Sequence, residues 1–248
     1  MEKNTELGAI DALVKRSREA QAQYEQNGSQ ALFDLACQAV GWALMDPTNN
    51  AVLAELAVRE TGLGNVPDKI KKNHNKTLGL LRDIKSVKSF GHIEDVVETG
   101  LSTYLRPKGV VAAIVPSTNP LATPVNNIIN ALKCGNAIII APSPKGARPL
   151  EVLLGHIHEN LRAIGVDTEL VQMIPSPPSK SKTKRLMELS DLLVVTGSQS
   201  NVRAGYSSGT PALGVGQGNV VTIIDDTADI KDAAAKIAMS KIFDNATS

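Results

Sequence analysis

The chain has 248 residues, 42% of them hydrophobic, with 26 Lys and Arg against 25 Asp and Glu. That is enough apolar material for one large α/β domain or two small ones, and it excludes a disordered or fibrous chain. A formal charge of +1 without a dominant basic block argues against nucleic acid or an anionic membrane as partner and points to small molecules.

The two cysteines, Cys37 and Cys134, stand too far apart in sequence for a disulfide framework or a thiolate metal site, which fits a reducing, cytoplasmic setting. Residues 1–6 carry acids and lack the apolar core of an export signal. The longest apolar runs, Gly109 to Pro116 and Ala137 to Pro142, are far shorter than the roughly 20 residues a membrane helix needs.

The first third reads as helical. Leu7, Ile10, Leu13, Val14 and Tyr24 recur near the helical period, as do Leu32, Leu35, Ala36, Ala39 and Val40 after the N-cap candidate Ser29. A third helix is expected over Asn50 to Arg59, ended by the glycines of Thr61-Gly62-Leu63-Gly64-Asn65, and a fourth over Pro67 to Leu81, whose lysines and asparagines suggest a solvated outer face. Near Gly100 the pattern changes: Leu101, Thr103 and Leu105 alternate as in a half-buried strand before the turn at Arg106-Pro107-Lys108-Gly109.

A βα alternation then begins. Strands are predicted at Val110 to Val115, Ala137 to Ala141, Glu169 to Ile174 and Asp191 to Val195. Helices are predicted at Leu121 to Leu132, Ala147 to Ile164, near Lys182 to Leu189, and opening at Ser198. Apolar strands joined by helices predict a doubly wound parallel sheet covered on both faces, with residues 1–99 as an N-terminal helical part and 100–248 as the βα core. A further strand is expected at Val220 to Ile224 and a helix at Asp229 to Phe243, with Ile230, Ala233, Ala234, Ile237 and Ala238 on one face.

Doubly wound sheets bind ligands at the carboxyl ends of their strands, so the loops after Val115, Ala141, Ile174 and Val195 are the place to seek function. Ser117, Thr118 and Asn119 follow the first strand; the Asn119 amide can donate to an oxygen that gains charge, or cap its own turn. Ser176 sits in the stiff loop after Ile174. Gly197 and Ser198 can bring helix N–H groups to a phosphate or serve as an ordinary N-cap. Gly214-Val215-Gly216-Gln217-Gly218 looks like a dinucleotide fingerprint but precedes a strand instead of opening a helix; its glycines suit a tight backbone approach to something bulky. His156 and His158 point to different sides of a helix, and His74 and His92 lack ligand partners at metal spacing, so no metal site is expected. The run Lys180, Lys182, Lys184, Arg185 reads as a solvated helix face beside a ligand-facing loop.

In their order these motifs resemble the aldehyde dehydrogenase superfamily, and within it the CoA-acylating branch. The resemblance rests on Val110 to Pro120, Gly135 to Ser143, Val194 to Ser198, Gly214 to Asn219 and Ser240 to Asn245. It implies NAD or NADP across the sheet, CoA as co-substrate, a small aldehyde as substrate, and a homo-oligomer. Asn119 matches the oxyanion-stabilising amide, Ser143 lies near the adenosine ribose, Gly197 and Ser198 at the pyrophosphate, and Val215 and Gly216 near the nicotinamide, with Ser117, Thr118 and Ser176 counted among the cofactor-binding candidates. In such enzymes a cysteine thiolate attacks the aldehyde, hydride passes to the nicotinamide, and CoA takes the acyl group. Gly214 stands where the hydrolytic branch has a glutamate that activates water, which favours acyl transfer to CoA. The nucleophilic cysteine of this branch follows Phe243-Asp244-Asn245 by a few residues and is absent through Ser248, so a catalytic part is expected beyond, and the residues present are expected to bind without turnover. A non-catalytic dinucleotide- or CoA-binding module and an acyl-phosphate reductase are the alternatives. The loop Ala141 to Arg148 contains no acid; its Lys145 and Arg148 can meet the 2′-phosphate of NADP or simply begin a solvated helix.

Overall fold

The computed structural model describes residues 2–216, 218 and 220–247, with side chains from residue 6 onward. Gln217 and Asn219 of the glycine motif lie outside the described residues, as does Ser248. Among the described residues no helix is long and apolar enough to cross a membrane.

Four helices come first: α1 (Glu2–Gln26), α2 (Gln30–Met45), α3 (Pro47–Thr61) and α4 (Val66–Ile84). Local chemistry sets their ends. Ser29 caps α2 by accepting from the Leu32 N–H at 3.1 Å, Asp46 caps α3, and Asn65 caps α4 by accepting from the Asp68 N–H at 3.0 Å. Gly62 ends α3 in the left-handed region, φ 69°, where a side chain would be strained.

An antiparallel hairpin of β1 (Gly91–Val96) and β2 (Leu101–Leu105) follows and stays apart from the main sheet. The sequence suggested only its second strand; β1 carries His92, Glu94 and Asp95 among its residues and shows no apolar alternation, because both strands lie mostly exposed. The segment before residue 100 is therefore not purely helical, and β2 is not the entrance to the parallel sheet.

That sheet is built by β3 (Val110–Val115), α5 (Ala122–Lys133), β4 (Ala137–Pro142), α6 (Ala147–Ala163), β5 (Val171–Met173), α7 (Lys180–Leu189), β6 (Leu192–Thr196), α8 (Gln199–Tyr206) and β7 (Ala212–Val215). Its five described strands are all parallel, in the order β5-β4-β3-β6-β7. Every residue of β3 and β4 is buried, as unbroken apolar runs in central parallel strands require. Helices α5 and α6 cover one face and are backed by α2, while α1 and α7 pack against the strands from the other. The N-terminal helices thus share one apolar core with the sheet, from Ile10 and Phe33 to Ile139 and Val195.

Beyond β7 the expectations part from the structure. Val220 to Ile224 forms no strand: Val220, Val221 and Ile223 are 72%, 75% and 89% exposed, and no described neighbour pairs with them. Helix α9 (Ile230–Ile242) does form, started by the Asp229 carboxylate on the Lys231 and Asp232 N–H groups, but it buries none of its residues. Capping and alanine-rich propensity suffice to shape it; nothing described packs on its apolar stripe.

The following turn, Phe243–Ala246, docks back onto α4. The solvated outer face expected of α4 is present at Lys71, Asn75 and Lys76, but Lys69, Lys72, Asn73 and Thr77 are buried on its other side. Lys69 Nζ and Lys72 Nζ donate to Asp244 Oδ2 at 2.8 and 2.9 Å, the Asn65 N–H donates to Asp244 Oδ1 at 3.2 Å, and the Asp244 N–H donates to Asp68 Oδ2 at 2.9 Å. Polar groups can be buried when they are paired, and these are. Burial pushes the Asp244 carboxyl up, but the two ammoniums outweigh it and hold it below the ordinary carboxylate range. Asp68 is held low by the Asn65 amide and the Asp244 N–H.

Two depressed carboxylates stabilise the docked turn fully above the unfolded aspartate value, about 3.9, and lose that contribution as pH falls through their lower folded values. Amide exchange over residues 243–247, corrected for intrinsic rates and referenced to β4, is therefore expected to stay flat between about pH 5 and 8 and to rise only below about pH 4. An onset near neutrality would contradict the pairing.

Candidate functional site

The carboxyl ends of the strands finish level. Pro142 of β4 lies opposite Val115 of β3, Val195 of β6 opposite Ile114, and Val215 of β7 opposite Thr196. From β3 the chain runs through α5 to β4, whereas from β6 it runs through α8 to β7 on the opposite side, so the two loops diverge and leave a crevice. A cleft of about 1050 Å³ opens there, lined by Ser117, Ser143, Ser179, Lys184, Gly197 and Ser198 among others.

The amino edge of the sheet offers a contrast. Its polar side chains are consumed by structure: Asn136 Oδ1 accepts from the Lys108 and Gly109 N–H groups, and Asp191 accepts from Arg18 at 2.7 Å and from the Val110 N–H at 2.7 Å. At the carboxyl edge Ser143 Oγ is buried without a partner, and the half-buried Asn119 side chain has none among the described residues. The turn-capping role open to Asn119 in the sequence is not the one it plays.

Each predicted residue has a definite place. The Ser143 N–H donates to the Val115 carbonyl at 3.2 Å, which sets Ser143 beside Pro116 and Ser117. Gly197, at φ 155°, donates its N–H to the Val215 carbonyl at 3.1 Å, and Ser198 caps α8 by accepting from the Asn201 N–H at 3.3 Å. The capping role of Ser198 is realised, and Gly197 and Ser198 still line the cleft. Ser176 is exposed in the loop beyond β5, and Thr118 is exposed in the turn before Asn119. Val215 and Gly216 lie at the β7 end of the row, outside the cleft lining but joined to it through the bond from Gly197 to the Val215 carbonyl.

Lys145 and Arg148 are exposed and lie outside the cleft lining, as a solvated helix start has them; Arg148 Nη1 pairs with Glu151 Oε2 at 2.6 Å along α6. Lys180 and Lys184 of α7 are exposed, as read from sequence, and also line the cleft, together with Pro178 and Ser179 of the loop before them. Lys182, between them, is buried and donates to the Pro175 and Pro177 carbonyls at 3.2 and 2.9 Å, holding that loop in place. Their shared spacing on one helix next to a ligand-facing loop was the available signal.

Gly214 has a clear local cause. A Cβ there would stand 2.7 Å from Val202 Cγ1 and 2.8 Å from Tyr206 Cε2, and the Gly214 N–H donates to Tyr206 Oη at 3.0 Å. The bulky groups its glycine accommodates are therefore side chains of α8, and any side chain at this position requires Val202 and Tyr206 to shift. Gly216 likewise stands against Gln199, with a Cβ 2.7 Å from its Nε2.

Neither cysteine is a nucleophile. Burial pushes the Cys37 thiol up to about 12, and its Sγ donates to the Ile129 carbonyl at 3.3 Å. Cys134 closes α5, and burial raises it as well. Among the described residues no cluster of three His, Cys, Asp or Glu side chains could hold a metal ion, although His92 does meet the Asp95 carboxylate at 2.9 Å on the hairpin.

A dinucleotide fits the cleft on chemical grounds. The Ser143 hydroxyl, buried and without a partner, would meet a ligand hydroxyl on turning toward the cleft that its residue lines. Lys180 supplies positive charge, Lys184 stands 3.9 Å from the Glu188 carboxylate that lines the same cleft, and Gly197 with Ser198 opens a helix toward this space.

Comparison with known proteins agrees with this geometry. The pattern of the aldehyde dehydrogenase family matches residues 44–247. The chain is 55% identical over 240 residues to the acylating sulfoacetaldehyde dehydrogenase of Cupriavidus necator, a match covering 97% of this chain and 48% of that protein. The crystal structure of an acetylating aldehyde dehydrogenase from Geobacillus thermoglucosidasius superposes with a TM-score of 0.91 at 33% identity, covering 98% of this chain and 54% of the other. An engineered glycolyl-CoA reductase with bound NADP+ superposes with a TM-score of 0.81 at 30% identity, covering 95% and 53% respectively. The chain spans about half the length of these relatives. With a parallel sheet whose switch-point cleft lies within the matched region, the chain belongs to the aldehyde dehydrogenase family.

Proposed function

We propose that these residues form the cofactor-binding part of a cytoplasmic, homo-oligomeric enzyme that oxidises a short aldehyde to its acyl-CoA. The observation that carries the reading is the switch-point cleft itself, lined by Ser143 together with Gly197 and Ser198 at the start of α8. Its relatives named as acylating or acetylating enzymes support the reaction class, and the sulfoacetaldehyde enzyme of Cupriavidus necator makes a short polar aldehyde the first substrate to test.

In this reading Ser143 takes the adenosine ribose, and the α8 N-terminus at Gly197 and Ser198 takes the pyrophosphate. Lys180 and Lys184, rather than Lys145 and Arg148, face the adenosine phosphate that distinguishes NADP from NAD. When bound, the dinucleotide supplies the electron acceptor. Asn119 contributes a side-chain N–H to the oxygen that becomes negative when the aldehyde is attacked, a donor left free by its turn. The Gly214 position offers no base to activate water, which leaves a thiol such as CoA as the acyl acceptor. Because Cys37 is buried with its thiol pushed up, and the half-buried Cys134 closes a helix with its thiol raised as well, these residues bind and orient without performing the covalent step.

Two outcomes are expected. In calorimetric titrations NADP binds this chain, and Lys180→Ala plus Lys184→Ala weakens it about tenfold or more relative to NAD, whereas Lys145→Ala plus Arg148→Ala changes little; a reversed pattern would return the role to the loop after β4. Incubation of the chain with short aldehydes, CoA and NADP gives no reduced dinucleotide, while in a form that carries the nucleophile Asn119→Ala lowers turnover about 10²–10³-fold at unchanged dinucleotide affinity. Undiminished turnover would reduce Asn119 to a turn residue.

A further inference from the structure

Lys69 is 1% exposed, a burial that costs an ammonium several kcal/mol unless its partners compensate. A lysine on a helix of this composition would ordinarily extend its stem and place the charge in water. Here the Nζ donates to two groups far apart in the chain: Asp244 Oδ2 at 2.8 Å and the main-chain carbonyl of Thr118 at 3.4 Å. Burial pushes the ammonium below the ordinary lysine range, against the pull of Asp244.

The Thr118 carbonyl belongs to the same planar peptide unit as the Asn119 N–H, so a hold on that oxygen fixes the plane from which the Asn119 Cα projects. The half-buried Asn119 side chain has no hydrogen-bond partner of its own among the described residues, so the peptide plane at its Cα is the anchor it has. At the other end, Asp244 and Asn245 are both at φ 52°, an uncommon conformation for residues with side chains. They are held there by Lys69, Lys72, the Asn65 N–H and Asp68, while Asn245 Nδ2 donates to the Gly64 carbonyl at 3.0 Å.

We infer that Lys69 is a positioning residue for Asn119: it couples the Thr118–Asn119 peptide to the Asp244 turn, so that the placement of one sets the placement of the other. The inference rests on the proposed role of Asn119 as the oxyanion donor.

The test follows the Asn119 side-chain amide directly, by ¹⁵N–¹H spectra of the full chain with the resonance assigned through Asn119→Ala. Lys69→Met is expected to shift and broaden that signal and to speed amide exchange over residues 116–120 about tenfold, with β4 unchanged. Lys69→Arg restores most of the signal. Asp244→Asn, which removes the charged partner without touching α4, moves the signal in the same direction and carries the test if Lys69→Met does not fold. Asn73→Ala breaks the buried amide contact to Asn50 Oδ1, 2.9 Å, on the same helix; it lowers the melting temperature and leaves the Asn119 signal in place. Wild-type Asn119 resonances in folded Lys69→Met or Asp244→Asn, or equal movement with Asn73→Ala, would overturn the positioning role. Failure of the oxyanion reading is distinguishable, because it would show as undiminished turnover in Asn119→Ala whatever these spectra report.

Discussion

The reversal of strand order between β3 and β6 is the constraint on which the rest of the molecule depends. β3 hydrogen-bonds to β4 on one side and β6 on the other, yet the helices that follow β3 and β6 leave in opposite directions. Right-handed crossovers allow no other arrangement, so a crevice must form at the carboxyl edge. The amino edge is sealed by Asn136, Asp191 and Arg18, whose polar atoms are already satisfied. At the carboxyl edge the loops after β3, β4 and β6 part instead, and Ser117, Ser143, Gly197 and Ser198 line the space between them.

The helical third is more than a cover. α1 packs against β3 and β4, and α2 against α5 and α6, so the apolar core crosses from one part of the chain to the other. α4 adds a polar counterpart: Lys69 and Lys72 meet Asp244 some 170 residues away in sequence, at N–O distances of 2.8 and 2.9 Å. A buried ion cluster of this kind stabilises little beyond what an apolar contact would, but it specifies one docking geometry, since any slip leaves a charge unpaired. α9, with no buried residue, lacks such a contact, and the ordered turn after it is the one anchored by Asp244.

Much of this could be read in the residues. The β-branched runs Val110 to Val115 and Ala137 to Pro142 dictated buried parallel strands, and the caps at Ser29 and Ser198 are where their helices begin. The carboxyl-edge rule located Ser117, Ser143, Gly197 and Ser198, which line one cleft. What failed depended on long-range pairing. Val220 to Ile224 has strand composition but no described strand to bond with, and composition does not reveal the absence of a partner. Lys71 and Lys76 of α4 face solvent as read, whereas Lys69 and Lys72 are buried on a counter-charge, Asp244, that lies far along the chain. Lys180 and Lys184 line the cleft beside Pro178 and Ser179, in a loop that Lys182 bonds through the Pro175 and Pro177 carbonyls, a contact that composition alone does not reveal.

Where a dinucleotide sits on the sheet is measured most directly by a hydrogen-exchange footprint of the chain with and without saturating NADP. Protection is predicted in one set of segments along the carboxyl edge, at residues 115–119, 142–147, 178–184 and 197–201, with the amino edge around Gly109, Asn136 and Asp191 unchanged. Protection at the amino edge or on the β1–β2 hairpin, with the carboxyl-edge loops unaffected, would contradict it.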